Sequence, residues 1–264
     1  MILDTMAAES RARVRRMKAD GTAARLREAA EGFHTAGGAR FRERLAAPGL
    51  SFICELKKAS PSKGVIAEEF PYLSIAKEYE AAGAAALSCL TEPLHFLGSL
   101  DILRETAQAV SIPVLRKDFL TDTCQVDEAA LAGASAVLLI AAMLTDAELR
   151  RLYERAKALG LAALVETHSA EEVRRALDMG AELIGINHRN LQDFSMDLSL
   201  TERLRPLIPA GVAVVAESGL AEAADMRRMA AAGADAVLVG EAFMRAEDRG
   251  TLLRNCIRET RRRE

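Results

Sequence analysis

The run Cys54–Gly64 (CELKKASPSKG) places Glu55 and Lys57 two residues apart where an apolar segment ends. Side chains alternate along a strand, so the two point the same way. Lys117 and Phe119 repeat that spacing in IPVLRKDF, and Glu166 comes near the end of AALVETH. Asn187 lies near the end of LIGINHR with Arg189 beyond it, and Glu217-Ser218-Gly219 ends AVVAESG. Lysines and carboxylates gathered in a partly desolvated cup are what general acid–base catalysis requires. Burial favours the neutral amine of a lysine and nearby carboxylates favour the ammonium, and the sequence leaves that balance open. Charges at strand ends also leave a sheet simply for solvent. That reading suits any one of these residues better than it suits all of them together.

The segments carrying these groups recur through the chain. They are Ser51–Lys57, Ala84–Glu92, Ile112–Phe119, Ala136–Met143, Ala162–His168, Leu183–Arg189, Ala213–Gly219 and Ala236–Phe243. Their spacing of about 25 residues is the size of one strand-plus-helix unit. Between them lie helical patterns such as Asp146–Leu159, with Thr145 and Ser169 placed as N-caps. Gly83, Gly133, Gly180 and Gly233 each precede an alanine that leads into an even-numbered strand, as a left-handed helix cap requires. That recurrence suggests a duplicated two-strand module or ordinary loop chemistry. Continuous apolar strands alternating with helices predict a parallel sheet covered on its outer face. Eight units in about 200 residues predict a closed (β/α)8 TIM barrel, with an open doubly wound sheet as the alternative. No linker divides the 264 residues, so one domain is expected, with residues 1–45 as an N-terminal helical extension and 50–264 as barrel. Helix is expected in the extension through Arg11–Met17 and Ala23–Gly32.

In such a barrel, chemistry belongs at the C-terminal ends of the strands, and the polar groups above all fall there. Glu217-Ser218-Gly219-Leu220 and Val239-Gly240-Glu241-Ala242 follow the last two strands. Barrels commonly hold phosphate at that point through backbone N–H groups. Ser60-Pro61-Ser62-Lys63-Gly64 offers hydroxyls and a fixed proline turn to close over an anion. His168 and His188, with Glu166 or Glu217, have the chemistry of metal ligands. No H-x-x-x-H spacing is present, however, and His188 should point away from its neighbour Asn187, so no metal is expected. His34 and His95 read as surface or packing residues, and no dinucleotide or P-loop turn is present.

A net charge of −3 argues against a general nucleic-acid binder. No signal-peptide pattern or membrane span is evident. The cysteines Cys54, Cys89, Cys124 and Cys256 are far apart, which suits reduced thiols in a cytoplasmic protein.

The segment CELKKASPSKGVI resembles the signature of the indole-3-glycerol phosphate synthase family. The likeness runs on through ILD at the start, LTEPLHFLGSL, PVLRKDF, LVETH, GINHRNL, AESGL and LVGEAFM. It implies a barrel with a helical extension over the active-site mouth and no metal or organic cofactor. The implied reaction converts 1-(2-carboxyphenylamino)-1-deoxyribulose 5-phosphate into indole-3-glycerol phosphate, carbon dioxide and water. Under it, Lys57 and Lys117 are the cationic acids, and Glu55 and Glu166 handle the proton traffic of dehydration, including the amine proton. Asn187 and Glu217 orient substrate hydroxyls, with Ser218 on the same rim. Ser60, Gly219, Gly240 and Glu241 take the phosphate, the last through its backbone amide. Phe96, Phe119, Leu138, Ile140 and Leu191 form the apolar pocket, with Arg189 nearby. His188 stands where the family more commonly has asparagine, which puts the loop after strand 6 in question.

Two other readings stand beside this one. A phosphoribosyl isomerase of the same fold leaves Glu55, Lys57 and Lys117 unexplained, and a catalytically dead barrel predicts missing acids or bases, whereas all are present. The expected partner is a small sugar phosphate, with no nucleic acid and no membrane. The chain is expected to be a monomer, with a weak homodimer as the alternative.

Overall fold

The computed structural model describes residues 2–190 and 194–260. Eight strands form one barrel: β1 Ser51–Leu56, β2 Ala86–Leu90, β3 Val114–Lys117, β4 Ala136–Ile140, β5 Ala162–Thr167, β6 Leu183–Asn187, β7 Ala213–Glu217 and β8 Ala236–Val239. Each strand pairs in parallel with its sequence neighbours, and β8 closes the ring against β1. The expected (β/α)8 barrel is present, and closure removes the edges that an open sheet would carry. Each strand is shorter than the apolar segment that announced it, because ladder pairing stops where the chain turns into the loops that carry the polar groups.

Three helices precede the barrel: α1 Ile2–Ala19, α2 Thr22–Ala29 and α3 Gly37–Leu45. The outer layer comprises α4 Tyr72–Ala82, α5 Leu100–Ala109, α6 Thr123–Leu131, α7 Asp146–Ala158, α8 Ala170–Asp178, α9 Leu200–Leu204, α10 Ala223–Ala231, α11 Glu241–Arg245 and α12 Arg249–Thr260. Thr145 and Ser169 cap α7 and α8 as expected, each accepting the N–H of the third helical residue. Gly83, Gly133, Gly180 and Gly233 all take positive φ, the left-handed turn that sends each helix back into the sheet.

Alternation along the strands divides the core. Phe52, Cys54 and Leu56 of β1 face the helices, while Ile53 joins Leu115, Leu138, Leu164, Val215 and Leu238 inside the barrel. Phe41 and Leu45 of α3 belong to that inner cluster. The Gly38 N–H donates to the Gly160 carbonyl just before β5, so α3 covers the end where the strands begin.

The other end of the extension behaves differently. In α1, Arg13 donates to both oxygens of Asp118 at 2.8 and 2.9 Å, Ser10 donates to the Phe119 carbonyl, and His95 meets Glu9 at 2.8 Å. These contacts tie α1 to the loops after β2 and β3, so it lies across the barrel mouth. Asp118 is in turn held by Arg116 at 3.0 Å and Thr91 at 2.7 Å. Arg116 faces outward from β3, fully buried, and also reaches Glu128 and the Gln125 carbonyl. A buried guanidinium with each donor edge matched to an acceptor is tolerable where a bare one is not. Among the described residues no helix is long and apolar enough to cross a membrane.

Candidate active site

At the C-terminal ends of the strands the barrel opens into a cavity of about 450 Å³. Its floor is polar because the innermost residue near the end of several strands is charged. Glu55 follows Ile53 inward on β1, Lys117 follows Leu115 on β3, Glu166 follows Leu164 on β5 and Glu217 follows Val215 on β7. All seven residues expected to work on the substrate line this one cavity: Glu55, Lys57, Lys117, Glu166, Asn187, Glu217 and Ser218. So do Ser60, Phe96, Phe119, Leu138, Ile140, Arg189, Gly219, Gly240 and Glu241. Leu191 lies outside the described residues.

The charged groups form two assemblies. Lys57 Nζ lies 2.5 Å from Glu55 Oε1, with the Ser88 hydroxyl donating to the other oxygen of Glu55 at 3.3 Å. Burial opposes the charge on Glu55, but Lys57 and Lys117 outweigh it and hold the carboxyl below its usual range. Lys117 Nζ sits between Glu166 Oε2 at 3.5 Å and Glu217 Oε2 at 3.4 Å. Burial pulls the Lys117 amine toward neutrality, yet Glu217, Glu166 and Glu55 together push its pKa up. The balance left open by the sequence therefore falls to the ammonium form.

Glycines make this crowding possible. Gly185 of β6 lies between Glu166 and Glu217, pairing with Glu166 on one side and Val215 on the other. A methyl group there would overlap Glu217 Oε1. A methyl on Gly240 would come within 2.5 Å of Glu55 Oε1 and 3.2 Å of Lys57 Nζ. Gly185 was not picked out from the sequence. Its signal was there, as a glycine between Ile184 and Ile186 inside a strand.

Glu217 is the carboxylate that this arrangement strains most. It is buried, its Oε1 has no hydrogen-bond partner, and burial lifts its pKa to about 7 against the pull of Lys117, with Glu166 adding repulsion. The unfolded chain releases the same proton near 4.5, so between these values the folded state binds the extra proton. This carboxyl is therefore expected to make stability fall as pH rises through that window. Urea midpoints measured across it should change less in Glu217→Gln than in the parent, and equal slopes would remove Glu217 as the source.

The rim is set by the loops after β6 and β7. His188 is buried and turned away from the cavity, as its place beside Asn187 predicted. Its Nδ1 lies 2.9 Å from the Ser218 carbonyl and its Nε2 2.7 Å from the Thr201 hydroxyl. A carbonyl only accepts, so Nδ1 carries the proton and Nε2 accepts from Thr201. Burial lowers the His188 pKa, which suits this neutral tautomer. The residue in question thus pins Ser218, whose φ of 69° is unusual for a residue with a side chain. His188→Leu is expected to cost about 1–3 kcal/mol, the penalty of leaving a buried carbonyl and hydroxyl unpaired. Chemical denaturation measures this, and an unchanged midpoint would show that the bridge holds nothing.

Ser60 ends the first strand of a short hairpin, Ala59–Ser60 against Gly64–Val65, whose tip residues Pro61 and Ser62 also line the cavity. The loops after β7 and β8 lie side by side because those strands are neighbours. The Glu241 carboxylate accepts from Arg245 at 3.1 Å, leaving its backbone as the part free to meet an anion. Phe96 and Phe119 meet with centroids 6.2 Å apart.

Sequence reasoning missed Leu3 and Met6 of α1, Leu90, Phe194 and Arg245 as cavity residues. Strand alternation pointed to Leu90. Nothing local marked α1, since an amphipathic helix shows only that one face is covered. Among the described residues no three His, Cys, Asp or Glu side chains are grouped to hold a metal.

The chain is similar to known proteins along nearly its whole length. A family model described as indole-3-glycerol phosphate synthase matches residues 3–256. The chain is 46% identical over 253 residues to the protein of that name from Ruminiclostridium cellulolyticum, covering 96% of this chain and 97% of the relative. It is 48% identical over 250 residues to that of Lactiplantibacillus plantarum, covering 95% of each. Against that of Campylobacter curvus it is 52% identical over 206 residues, 78% of this chain and 79% of the relative. The fold is also shared with a 3-hexulose-6-phosphate synthase at a TM-score of 0.64 and 18% identity, over 80% of this chain and 99% of the other. The chain belongs to the indole-3-glycerol phosphate synthase family.

Proposed function

We propose the following division of labour in the synthesis of indole-3-glycerol phosphate from 1-(2-carboxyphenylamino)-1-deoxyribulose 5-phosphate. Lys117 protonates the ribulose carbonyl as the aromatic carbon bearing the carboxylate attacks it. Lys57 holds that carboxylate until carbon dioxide leaves and the benzene ring regains aromaticity. The cyclic alcohol then loses water. Its hydroxyl needs a proton from a lysine, and Glu166 takes the proton released as the indole ring forms, with Glu55 holding Lys57 charged and in place. Asn187, Glu217 and Ser218 orient the chain hydroxyls. The phosphate lies against Ser60, Gly219, Gly240 and the Glu241 amide, and the aromatic ring between Phe96, Phe119, Leu138 and Ile140.

The observation that carries this reading is the single ammonium of Lys117 held between Glu166 and Glu217 in a cavity that also receives Lys57. An acid kept charged beside a base is what a sequence of carbonyl protonation and dehydration needs. The test is to incubate the purified chain with the carboxyphenylamino substrate, with EDTA present, and follow indole fluorescence. No fluorescence with a folded chain would sink the reading.

Lys57→Ala is expected to raise KM and lower kcat/KM by about 10- to 10²-fold, because a hydrogen bond to a charged group is worth ~1.5–3 kcal/mol. Steady-state kinetics separate the two constants. A change confined to thermal stability would take Lys57 out of substrate binding.

A further inference from the structure

The reaction just assigned has a proton balance that the residues named so far do not close. The substrate enters with a carboxylate and leaves its carbon as neutral carbon dioxide, while the phosphate keeps its charge. Each turnover therefore consumes one proton. Two protons go to oxygen, first as the carbonyl becomes a hydroxyl and then as the hydroxyl becomes water. Glu166 recovers one when the indole ring forms. The second must come from solvent into a cup whose carboxylates are buried.

His168 lies at the back of that cup and has no part in the chemistry above. It follows β5, one residue beyond Thr167, and its ring lies between two carboxylates. Its Nε2 is 3.7 Å from Glu166 Oε1, and its Nδ1 is 3.4 Å from Glu172 Oε2. Neither ring nitrogen has a hydrogen-bond partner, although both are buried. Leaving both nitrogens of a buried imidazole unsatisfied is costly, so the ring is held in place for another reason or is poised to move. Glu166 presents its other oxygen to Lys117 at 3.5 Å. Glu172, in the first turn of α8, takes the His168 N–H at 2.9 Å, and its side chain is 17% exposed. The order from cavity to solvent is therefore Lys117, Glu166, His168, Glu172.

We propose that His168 positions the consumed proton behind Glu166 and passes it inward, so that this chain draws its net proton from solvent through Glu172 and His168. The inference rests on the roles given to Glu166 and Lys117 above. In the step, the Nε2–H bond of the imidazolium breaks and an O–H bond forms at Glu166 Oε1. Glu166, which already holds on Oε2 the proton recovered from the indole ring, yields it to the neutral amine of a Lys117 that has already donated. The neutral ring keeps its Nδ1–H, so it is recharged at the bare Nε2, which a turn of the ring carries away from Glu166 to the Glu172 side, and charge balances at each transfer. The gaps of 3.7 and 3.4 Å exceed a formed hydrogen bond, and a small rotation of the ring closes them, as catalytic contacts commonly tighten once substrate is bound. The charged groups facing the ring are Glu172 of α8, Glu166 of β5 and Glu217 of β7. Burial favours the neutral ring, and these carboxylates reverse it, so the imidazole takes up a proton more readily than an ordinary histidine.

The experiment compares His168→Ala, His168→Gln and Glu166→Gln with the parent, recording kcat, KM, thermal midpoint and the effect of added imidazole. The expected result is a fall in kcat of about 10²-fold in both His168 variants, the lower end for loss of a positioned proton donor, with KM nearly unchanged. Imidazole restores turnover to His168→Ala and not to His168→Gln, whose side chain fills the space, and both keep the parent's midpoint. Parental kcat in His168→Gln would overturn the relay. So would a loss in His168→Ala that tracks a lowered midpoint and ignores imidazole. Glu166→Gln separates the two levels of the argument: if it turns over normally, the role of Glu166 itself falls, whereas an inactive Glu166→Gln beside a fast His168→Gln removes only the relay.

Discussion

Lys117→Ala is expected to lower kcat by about 10²–10⁴-fold, the range carried by one positioned acid, while the barrel keeps its fold. Lys117 contributes the only ammonium placed between Glu166 and Glu217 among the described residues. Its neighbours keep it charged in spite of burial, so the proton is present when the carbonyl needs it. The fold survives because the side chain packs at the mouth, above the inner apolar layer of Leu115, Leu138 and Leu164, and its removal opens space toward the cavity rather than within the core. Two carboxylates are left without their cation, and the relief open to them is for Glu217 to hold its proton more firmly. The measurement pairs indole fluorescence kinetics with circular dichroism through thermal unfolding. Turnover near the parent's in a folded variant would take Lys117 out of the mechanism.

Gly185→Ala is expected to lower kcat/KM by about 10²-fold although Gly185 itself offers the substrate no side chain. The added methyl would overlap Glu217 Oε1, and Glu217 is the buried partner of Lys117. To relieve the overlap, Glu217 must swing away from β6, and the ammonium it helps to hold moves with it. Displacing a catalytic group by about 1 Å is enough for a 10²-fold loss. Alanine fits the extended backbone of β6, so the effect belongs to the carboxylate and not to strand geometry. Pairing Gly185→Ala with Glu217→Gln in a double-mutant cycle checks this. If the methyl acts through Glu217, the two losses are far from additive. Additive losses would place the effect of Gly185 elsewhere.

The sequence by itself determined a good deal. Alternation of side chains is fixed by the covalent geometry of an extended chain. Ile53, Glu55 and Lys57 therefore had to share a direction before any fold was known, as did Leu115, Lys117 and Phe119. Eight such segments joined by capped helices left little besides a closed barrel, and the Gly-Ala exits at 83, 133, 180 and 233 took the left-handed turn that glycine makes inexpensive. These are local properties, legible from a few residues.

Which charges meet across the barrel was a different matter. Glu166 and Glu217 are 51 residues apart in sequence by their numbering, and they share an ammonium because the ring closes and Gly185 leaves room between them. Neither closure nor that empty space is a property of either segment alone. The extension divides for the same reason: α1 crosses the mouth because Arg13 finds Asp118, and α3 seals the opposite end because Phe41 and Leu45 fill the barrel interior. His168 drew notice in the sequence only as a side chain with the chemistry of a metal ligand, since its place between Glu166 and Glu172 exists only in the folded chain. Period and propensity act over a few residues, whereas electrostatic pairing and the filling of volume act across space, and only the tertiary structure decides which residues share it.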